Sequence, residues 1–162
     1  MSNVYEKCPS FENEKWLLRL VMKEDSDDLM EVYGEKAALP FFNSDNCHGD
    51  NFYYPTKEKM DSAIDFWIYS YNEKFFVRWA IIDKFTSKAV GTIEMFHRDP
   101  NGDFGHVGLI RIDLGSEIIS KVPIYAVERV QAFSDYGFEK SDICLIGGND
   151  KYAYNGYWSY KK

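Results

Sequence analysis

Residues 75 to 97 read FFVRWAIIDKFTSKAVGTIEMFH, and this stretch decides the fold. Two runs rich in β-branched and aromatic residues, Phe75 to Asp83 and Ala89 to His97, predict two strands. The polar residues 84 to 88 between them predict a hairpin turn.

Upstream of the hairpin, the pattern predicts one strand and two helices. Alternation over residues 16 to 22 predicts the strand. A polar cluster with Asp25 or Ser26 as N-cap begins a short helix that Gly34 can end. After a structured loop, Thr56 caps a longer helix. Its apolar stripe consists of Met60, Ile64, Trp67, Ile68 and Tyr71.

Downstream, the turn signal at residues 99 to 102 leads into a strand from His106 to Leu114. Only three residues separate it from another apolar run, residues 118 to 122. A parallel neighbour needs a crossover of about a dozen residues. A bend or altered pairing is therefore expected here, with a tight antiparallel turn or an exchange between subunits as alternatives. A helix from Pro123 to Gly137 and strands at 141–146 and 154–160 complete the predicted order.

Composition limits the class of protein. The chain has 162 residues, is 45% hydrophobic and carries a net charge of −7, so a single domain over residues 1–162 is expected. The acidic balance disfavours binding to nucleic acid or to anionic membranes. No signal peptide or membrane span is predicted. Three scattered cysteines without a C-x-x-C pair favour a reducing cytoplasm.

The order of elements, and short motifs within it, resemble the GNAT superfamily of acetyl-CoA-dependent N-acetyltransferases. The motifs are Leu18-Arg19-Leu20, Val90 to Glu94, Ala126 to Val130 and Gly137-Phe138. The resemblance spans residues 15 to 160 and is greatest to the ribosomal-protein N-acetyltransferase branch. It implies an α/β fold: a twisted mixed β-sheet of about seven strands flanked by about three helices.

The chain departs from this family after the strand that ends at Leu114. Family members carry a glycine-rich loop and a helix there, which hold the pyrophosphate of CoA through backbone N–H groups. This chain has Gly115-Ser116-Glu117, with no second glycine and a carboxylate that would repel a pyrophosphate. The loop and its helix are therefore expected to be missing, and no cofactor-binding residues can be assigned. In the last helix, Ala126 and Phe133 stand where many members carry Asn and Tyr.

Two carboxylates are the candidate catalytic residues. Glu94 and Asp113 lie on neighbouring predicted strands, and Arg111 shares a face with Asp113. By the resemblance, one carboxylate would act as general base toward an amine, with Arg111 in the substrate site. The alternative is a solvated or ion-paired sheet face without a catalytic role.

Aromatic residues of the loop between the first two helices are the candidate substrate-binding residues: Phe41, Phe42, Tyr53 and Tyr54. The resemblance places this loop beside the acceptor cleft; alternatively, the aromatics only keep a long loop ordered. His48, His97 and His106, with Cys47 or Asp50, match no zinc spacing, so no metal site is predicted.

The expected function is that of an N-acetyltransferase or a derivative of one. If active, it would transfer acetyl from acetyl-CoA to an amine on a peptide or small molecule. The alternative is a non-catalytic module that binds a ligand or protein on a degenerate GNAT fold. Strand edges beside the missing segment could pair between copies, which makes a homodimer an alternative to a monomer.

Overall fold

The computed structural model describes residues 4–38, 50–97, 107–115, 138–140 and 158–160. Short 3₁₀ helices at Lys23–Asp25 and Lys36–Ala38 flank the first α-helix. The strands and α-helices in chain order are β1 Phe11–Glu12, β2 Trp16–Leu20, α1 Ser26–Tyr33, α2 Lys57–Asn72, β3 Val77–Asp83, β4 Lys88–His97, β5 Val107–Leu114, β6 Phe138–Lys140 and β7 Trp158–Tyr160.

The seven strands form one sheet in the order β1-β2-β3-β4-β5-β7-β6. The predicted hairpin of β3 and β4 lies at its centre, and the predicted α/β class and seven strands are confirmed. All six described strand pairings are antiparallel. The parallel pair that a mixed sheet requires is not among them.

A bulge interrupts β4 at Val90. Ile81 pairs with Gly91 whereas Ile82 pairs with Ala89, so Val90 is the extra residue. An extra residue reverses the alternation of a strand. Even-numbered side chains after the bulge therefore face the same side of the sheet as Ala89 before it.

Glycine at position 91 permits the close approach of β4 and β5. A Cβ built on Gly91 would lie 2.2 Å from the carbonyl oxygen of Asp113 and 2.9 Å from Cδ2 of Leu114. A backbone oxygen cannot yield as a flexible side chain can, so any larger residue forces the strands apart.

Strand alternation divides the core between two sides of the sheet. The side under α1 and α2, here called the helix face, contains among others Val21, Leu29, Val32, Tyr33, Met60, Ile64, Trp67, Ala80 and Ile82. The opposite side, here called the strap face, contains Trp16, Leu18, Val77, Trp79, Ile81, Ile93, Met95 and Leu114.

The N-terminal segment, residues 4–11, packs against the strap face and is here called the strap. Val4, Cys8 and Phe11 contact the apolar cluster. Two side chains fix the backbone of the strap: Trp79 Nε1 donates to Pro9 O at 2.8 Å and Tyr71 Oη donates to Val4 O at 2.9 Å.

The helices begin near the predicted residues. Thr56 caps α2, its Oγ1 accepting from the N–H of Lys59 at 3.4 Å. Asp25 is the N-cap of α1, but its carboxylate instead accepts from the N–H of Met22 and from the guanidinium of Arg19. Gly34 ends α1 as predicted; its φ of −86° is right-handed, so no left-handed turn is involved.

Several predicted elements lie outside the described residues: the strand at 118–122, the helix from Pro123 to Gly137, the strand at 141–146 and the bend after β5. Phe138–Lys140 forms β6, although the sequence predicted only the end of a helix there. No helix in the described ranges has the length and apolar character needed to cross a membrane. The single domain over 1–162 stays a prediction.

Candidate functional site

A charged residue, Arg78 of β3, lies at the centre of the helix face with 1% of its surface exposed. Strand pairing places Arg78 opposite Glu94 and Thr92 opposite Asp113. Because residues two apart on a strand share a face, these four residues lie together on the side that α1 and α2 cover. Tyr33, the last residue of α1, completes the group, here called the Arg78 network.

The guanidinium of Arg78 divides its donors among the other members of the network. Nη2 donates to Oε2 of Glu94. Nη1 lies 2.8 Å from Oγ1 of Thr92, 3.1 Å from Oη of Tyr33 and 3.1 Å from Oδ2 of Asp113. Tyr33 Oη donates to the same Asp113 oxygen at 2.7 Å. One arginine thus links two carboxylates from two strands to the end of a helix.

The ring of Trp67, from α2, covers the network. The guanidinium carbon of Arg78 lies 4.1 Å from the ring centroid, which is cation–π distance. In the described part of the chain, Nε of Arg78 has no hydrogen-bond partner. The ion pairs and the ring contact must offset the loss of about 1–3 kcal/mol that an unpaired buried donor entails.

Burial and charge act in opposite directions on the network. Burial alone would lower the pKa of Arg78, but the negative charges of Glu94 and Asp113 outweigh it, so the pKa lies above its ordinary value. Burial raises the pKa of Tyr33 well above its ordinary value, and the charge of Asp113 raises it further. Arg78 therefore stays cationic and the Tyr33 phenol stays a neutral donor.

Three solved structures share this architecture. A nucleotide-linked sugar GNAT has a TM-score of 0.59 at 15% identity, over 94% of this chain and 90% of its own. An acetyltransferase of the GNAT family from Bacillus anthracis has a TM-score of 0.56 at 11% identity, over 93% and 96%. A ribosomal-protein-S5-alanine acetyltransferase from Vibrio fischeri has a TM-score of 0.52 at 16% identity, over 94% and 96%.

The fold is that of the GNAT acetyltransferases. The resemblance given by the sequence motifs is thereby confirmed at the level of fold. No protein-family model matches the sequence, and no curated protein does.

On this GNAT fold the two predicted catalytic carboxylates come together. Glu94 and Asp113 share the helix face, and both bind Arg78. The alternative to a catalytic role was a solvated or ion-paired sheet face. Ion pairs are present on this face, and their cation is Arg78. Arg111 lies opposite Glu94 in the register, and its side chain is outside the described residues. The catalytic roles of both carboxylates stay a prediction.

Of the predicted substrate-binding aromatics that the structure describes, Tyr54 packs against the network. Its ring centroid lies 5.5 Å from that of Tyr33 and 6.3 Å from that of Trp67, and its Oη donates to Oδ2 of Asp50 at 2.6 Å. Burial raises the pKa of Tyr54 above its ordinary value, and the hydrogen bond to Asp50 raises it further. Tyr54 therefore anchors its loop to the network, and its contact with an acceptor stays a prediction.

The other predicted aromatics are less informative. Tyr53 is half-buried, and its N–H donates to Oδ1 of Asn51 at 3.0 Å. Phe41 and Phe42 lie outside the described residues. The neighbouring Phe52 is buried with a φ of 54°, a left-handed conformation that is rare for a bulky residue.

Sequence reasoning missed Arg78, Tyr33 and Trp67 as members of a polar site. Arg78 offered a signal, since it is the only charged residue among the first six of β3, VRWAII. A charged side chain in a buried strand requires a partner of opposite charge. That requirement points to the carboxylates of the adjoining strands. Tyr33 and Trp67 gave no such signal, because aromatics at helical spacing pack equally well without polar partners.

The GNAT fold implies acetyl-CoA, whose pyrophosphate needs free backbone N–H groups. Of the segment after β5, the structure describes Gly115. The N–H of Gly115 donates to Val90 O, with 3.4 Å between nitrogen and oxygen. A Cβ built on Gly115 would meet nothing within 4 Å. The sequence continues with Ser116 and the carboxylate of Glu117. The described residues therefore do not form a pyrophosphate cradle.

Metal ligands were not predicted, and the described residues contain no group of three His, Cys, Asp or Glu that could hold an ion. His48, Cys47 and His106 lie outside those residues. Asp50 uses its carboxylate within its own loop, binding the N–H of Phe52 and the hydroxyl of Tyr54.

Proposed function

We propose that the chain is a GNAT-type N-acetyltransferase or a derivative of one, with an acceptor-amine site at Glu94. One observation carries the proposal: a carboxylate fixed by a buried arginine, with 8% of its side chain exposed, on a fold whose solved neighbours are acetyltransferases. The acceptor is an amine on a peptide or small molecule.

Glu94 is the residue proposed to handle the amine. An amine is protonated at neutral pH and must lose a proton before its nitrogen can attack a carbonyl carbon. The Glu94 carboxylate would bind the ammonium group and accept that proton, directly or through a water molecule. Asp113, the other predicted base, has no exposed side-chain surface, against 8% for Glu94. This difference favours Glu94 for contact with substrate.

The acyl donor proposed is acetyl-CoA, in keeping with the fold. Because the described residues do not form a pyrophosphate cradle, no residue is assigned to it. We also propose that the protein acts in the cytoplasm and does not bind nucleic acid or membranes, consistent with its net charge of −7. Pairing of two copies through strand edges is an alternative to a monomer.

The proposal is tested by melting the full-length protein with increasing acetyl-CoA and by following acetylation of a panel of amines with radiolabelled acetyl-CoA. A ligand that binds only the native state adds about 2.7 kcal/mol to the free energy of unfolding at one hundred times its Kd. The melting temperature therefore rises with the concentration of the ligand. We expect such a rise, and acetylation that Glu94→Gln abolishes. A flat melting temperature up to millimolar acetyl-CoA would refute the acetyltransferase function.

The second candidate is a non-catalytic module that binds an amine-containing ligand or protein. It is favoured by the Gly115 N–H, which is directed back to Val90 rather than left for a cofactor. This candidate predicts that amines bind without any effect of acetyl-CoA on stability. Calorimetric titrations with acetyl-CoA and with the amines, run on one protein preparation, distinguish the two functions.

A further inference from the structure

The two carboxylates of the Arg78 network differ in how completely the protein encloses them. The side chain of Asp113 is 0% exposed, and its Oδ2 accepts from both Tyr33 Oη and Arg78 Nη1. The side chain of Glu94 is 8% exposed. Arg78 engages Oε2 of Glu94, and no other described residue donates a hydrogen bond to this carboxylate. Of the two carboxylates, only Glu94 therefore has side-chain surface that a ligand could contact.

The position of Glu94 depends on the position of Arg78. A guanidinium is a planar fork, so its two Nη groups cannot move independently. Nη1 is held by Thr92, Tyr33 and Asp113, and the ring of Trp67 covers the plane. Because Nη1 is fixed in this way, the direction of Nη2 is fixed too. The position of the Glu94 carboxylate, which Nη2 binds, follows from it.

We propose that Arg78 is a positioning residue that fixes Glu94 for contact with the acceptor amine, while Asp113 holds Arg78 and does not touch the ligand. This inference rests on the proposed function, because it concerns the same site. It assigns different roles to two carboxylates that the sequence could not distinguish. It also assigns a role to a buried arginine for which the sequence offered none.

The first test needs no ligand. In protein labelled with ¹⁵N-arginine, the bonds to Arg78 hinder rotation of its guanidinium, and we expect separately resolved Nη signals. Glu94→Gln should shift the Nη2 signals and Asp113→Asn the Nη1 signals. Signals that average to one position in the wild type, or that respond identically to both substitutions, would overturn the proposed division of donors.

The second test measures binding of alaninamide and benzylamine by NMR titration in four variants: Glu94→Gln, Arg78→Lys, Asp113→Asn and Glu31→Gln. A charge-assisted hydrogen bond contributes enough that its loss weakens binding about tenfold or more. We expect that loss in Glu94→Gln, and in Arg78→Lys because lysine keeps the charge without the fork. Asp113→Asn keeps a side-chain oxygen that can accept from Nη1, so Arg78 should stay in place and the variant should retain affinity within about threefold. Glu31→Gln, at an exposed pair with Lys88, controls for net charge and should have no effect.

The outcomes separate this inference from the proposed function. If the wild type binds the amines but Asp113→Asn loses as much affinity as Glu94→Gln, Arg78 does not distinguish the carboxylates and this inference alone fails. Unchanged amine affinity in Arg78→Lys has the same consequence. If the wild type binds neither amine, the proposed acceptor site fails and this inference falls with it. Should Arg78→Lys not fold, the Glu94 and Asp113 variants decide by themselves.

Discussion

Arg78 and Trp79 are neighbours in β3, and each is 1% exposed, yet they lie on opposite faces of the sheet and are stabilised differently. Trp79 lies in the apolar cluster of the strap face and satisfies its one donor at Pro9 O. Arg78 requires ion pairs with two carboxylates, two hydroxyl partners and an aromatic ring. Equal burial thus gives a tolerant apolar layer on one face and an interdependent polar network on the other.

The largest expected effect is that of Arg78→Met on the helix face. Removing the cation leaves two carboxylates buried without it, which destabilises a protein by about 3–5 kcal/mol. Ile81→Val on the strap face is the matched control, with an expected loss of about 0.5–1.5 kcal/mol. Urea unfolding of both variants measures the difference.

A triple variant sharpens this comparison. Arg78→Met combined with Glu94→Gln and Asp113→Asn removes all three charges, and we expect it to recover part of the lost stability because the uncompensated charge is gone. A triple variant less stable than Arg78→Met would contradict an electrostatic cause. So would an Arg78→Met protein as stable as Ile81→Val.

Gly91→Ala tests the close approach of β4 and β5, which belongs to the sheet between the two faces. The added Cβ would lie 2.2 Å from the carbonyl oxygen of Asp113, and overpacking of this kind destabilises by about 1–3 kcal/mol. Gly115→Ala, where the Cβ meets open space, is the control and should change stability by less than about 0.5 kcal/mol. Equal thermal stability of the two variants would show that the strands can separate without loss.

On the strap face, Tyr71→Phe removes the hydrogen bond to Val4 O. The expected loss is about 0.5–1.5 kcal/mol, since one hydrogen bond to the strap disappears while the ring remains. Amide exchange of residues 4–11 should accelerate in this variant. Tyr69→Phe, whose ring is largely exposed, should leave that exchange unchanged; a similar acceleration there would show that the strap opens for another reason.

The smallest effect concerns Cys8, within the strap. Burial raises the pKa of the Cys8 thiol from 9.0 to about 12. The native state therefore holds the neutral thiol, and this contribution to stability is present below pH 9 and is lost as the pH rises toward 12. In a Cys47→Ser, Cys144→Ser background, iodoacetamide should react with native Cys8 far more slowly at pH 9 than with the unfolded chain. Equal rates would show an accessible thiolate.

Periodicity and turn chemistry were sufficient to predict β2, α1, α2, β3, β4 and β5 near the correct residues, but not the short strands β1 and β6. The hairpin of β3 and β4, the cap at Thr56 and the end of α1 at Gly34 are all local features, set by residues within a few positions of one another. The bulge at Val90 was not predicted. It depends on how β3 and β4 pair, and alternation along one strand does not reveal the register of its partner.

The candidate site was predicted in part. Glu94 and Asp113 could be placed on neighbouring strands, because the order of the strands is readable from the sequence; that they share a face follows from the register and the bulge at Val90. The cation that binds both carboxylates was not found. Arg111 was the cation nearest to Asp113 along the chain, whereas Arg78 lies on β3, which β4 separates from the strand of Asp113.

The sequence by itself determined the α/β class, the central hairpin, the resemblance to GNAT acetyltransferases and the two carboxylates of interest. These follow from local patterns, whose physical causes act within one strand, turn or helix. Only the tertiary structure decided that Arg78 joins those carboxylates to Tyr33 and that Glu94 is the more exposed of the two. Ion pairing and burial depend on which distant segments meet, and residues up to 80 positions apart share the same hydrogen bonds here.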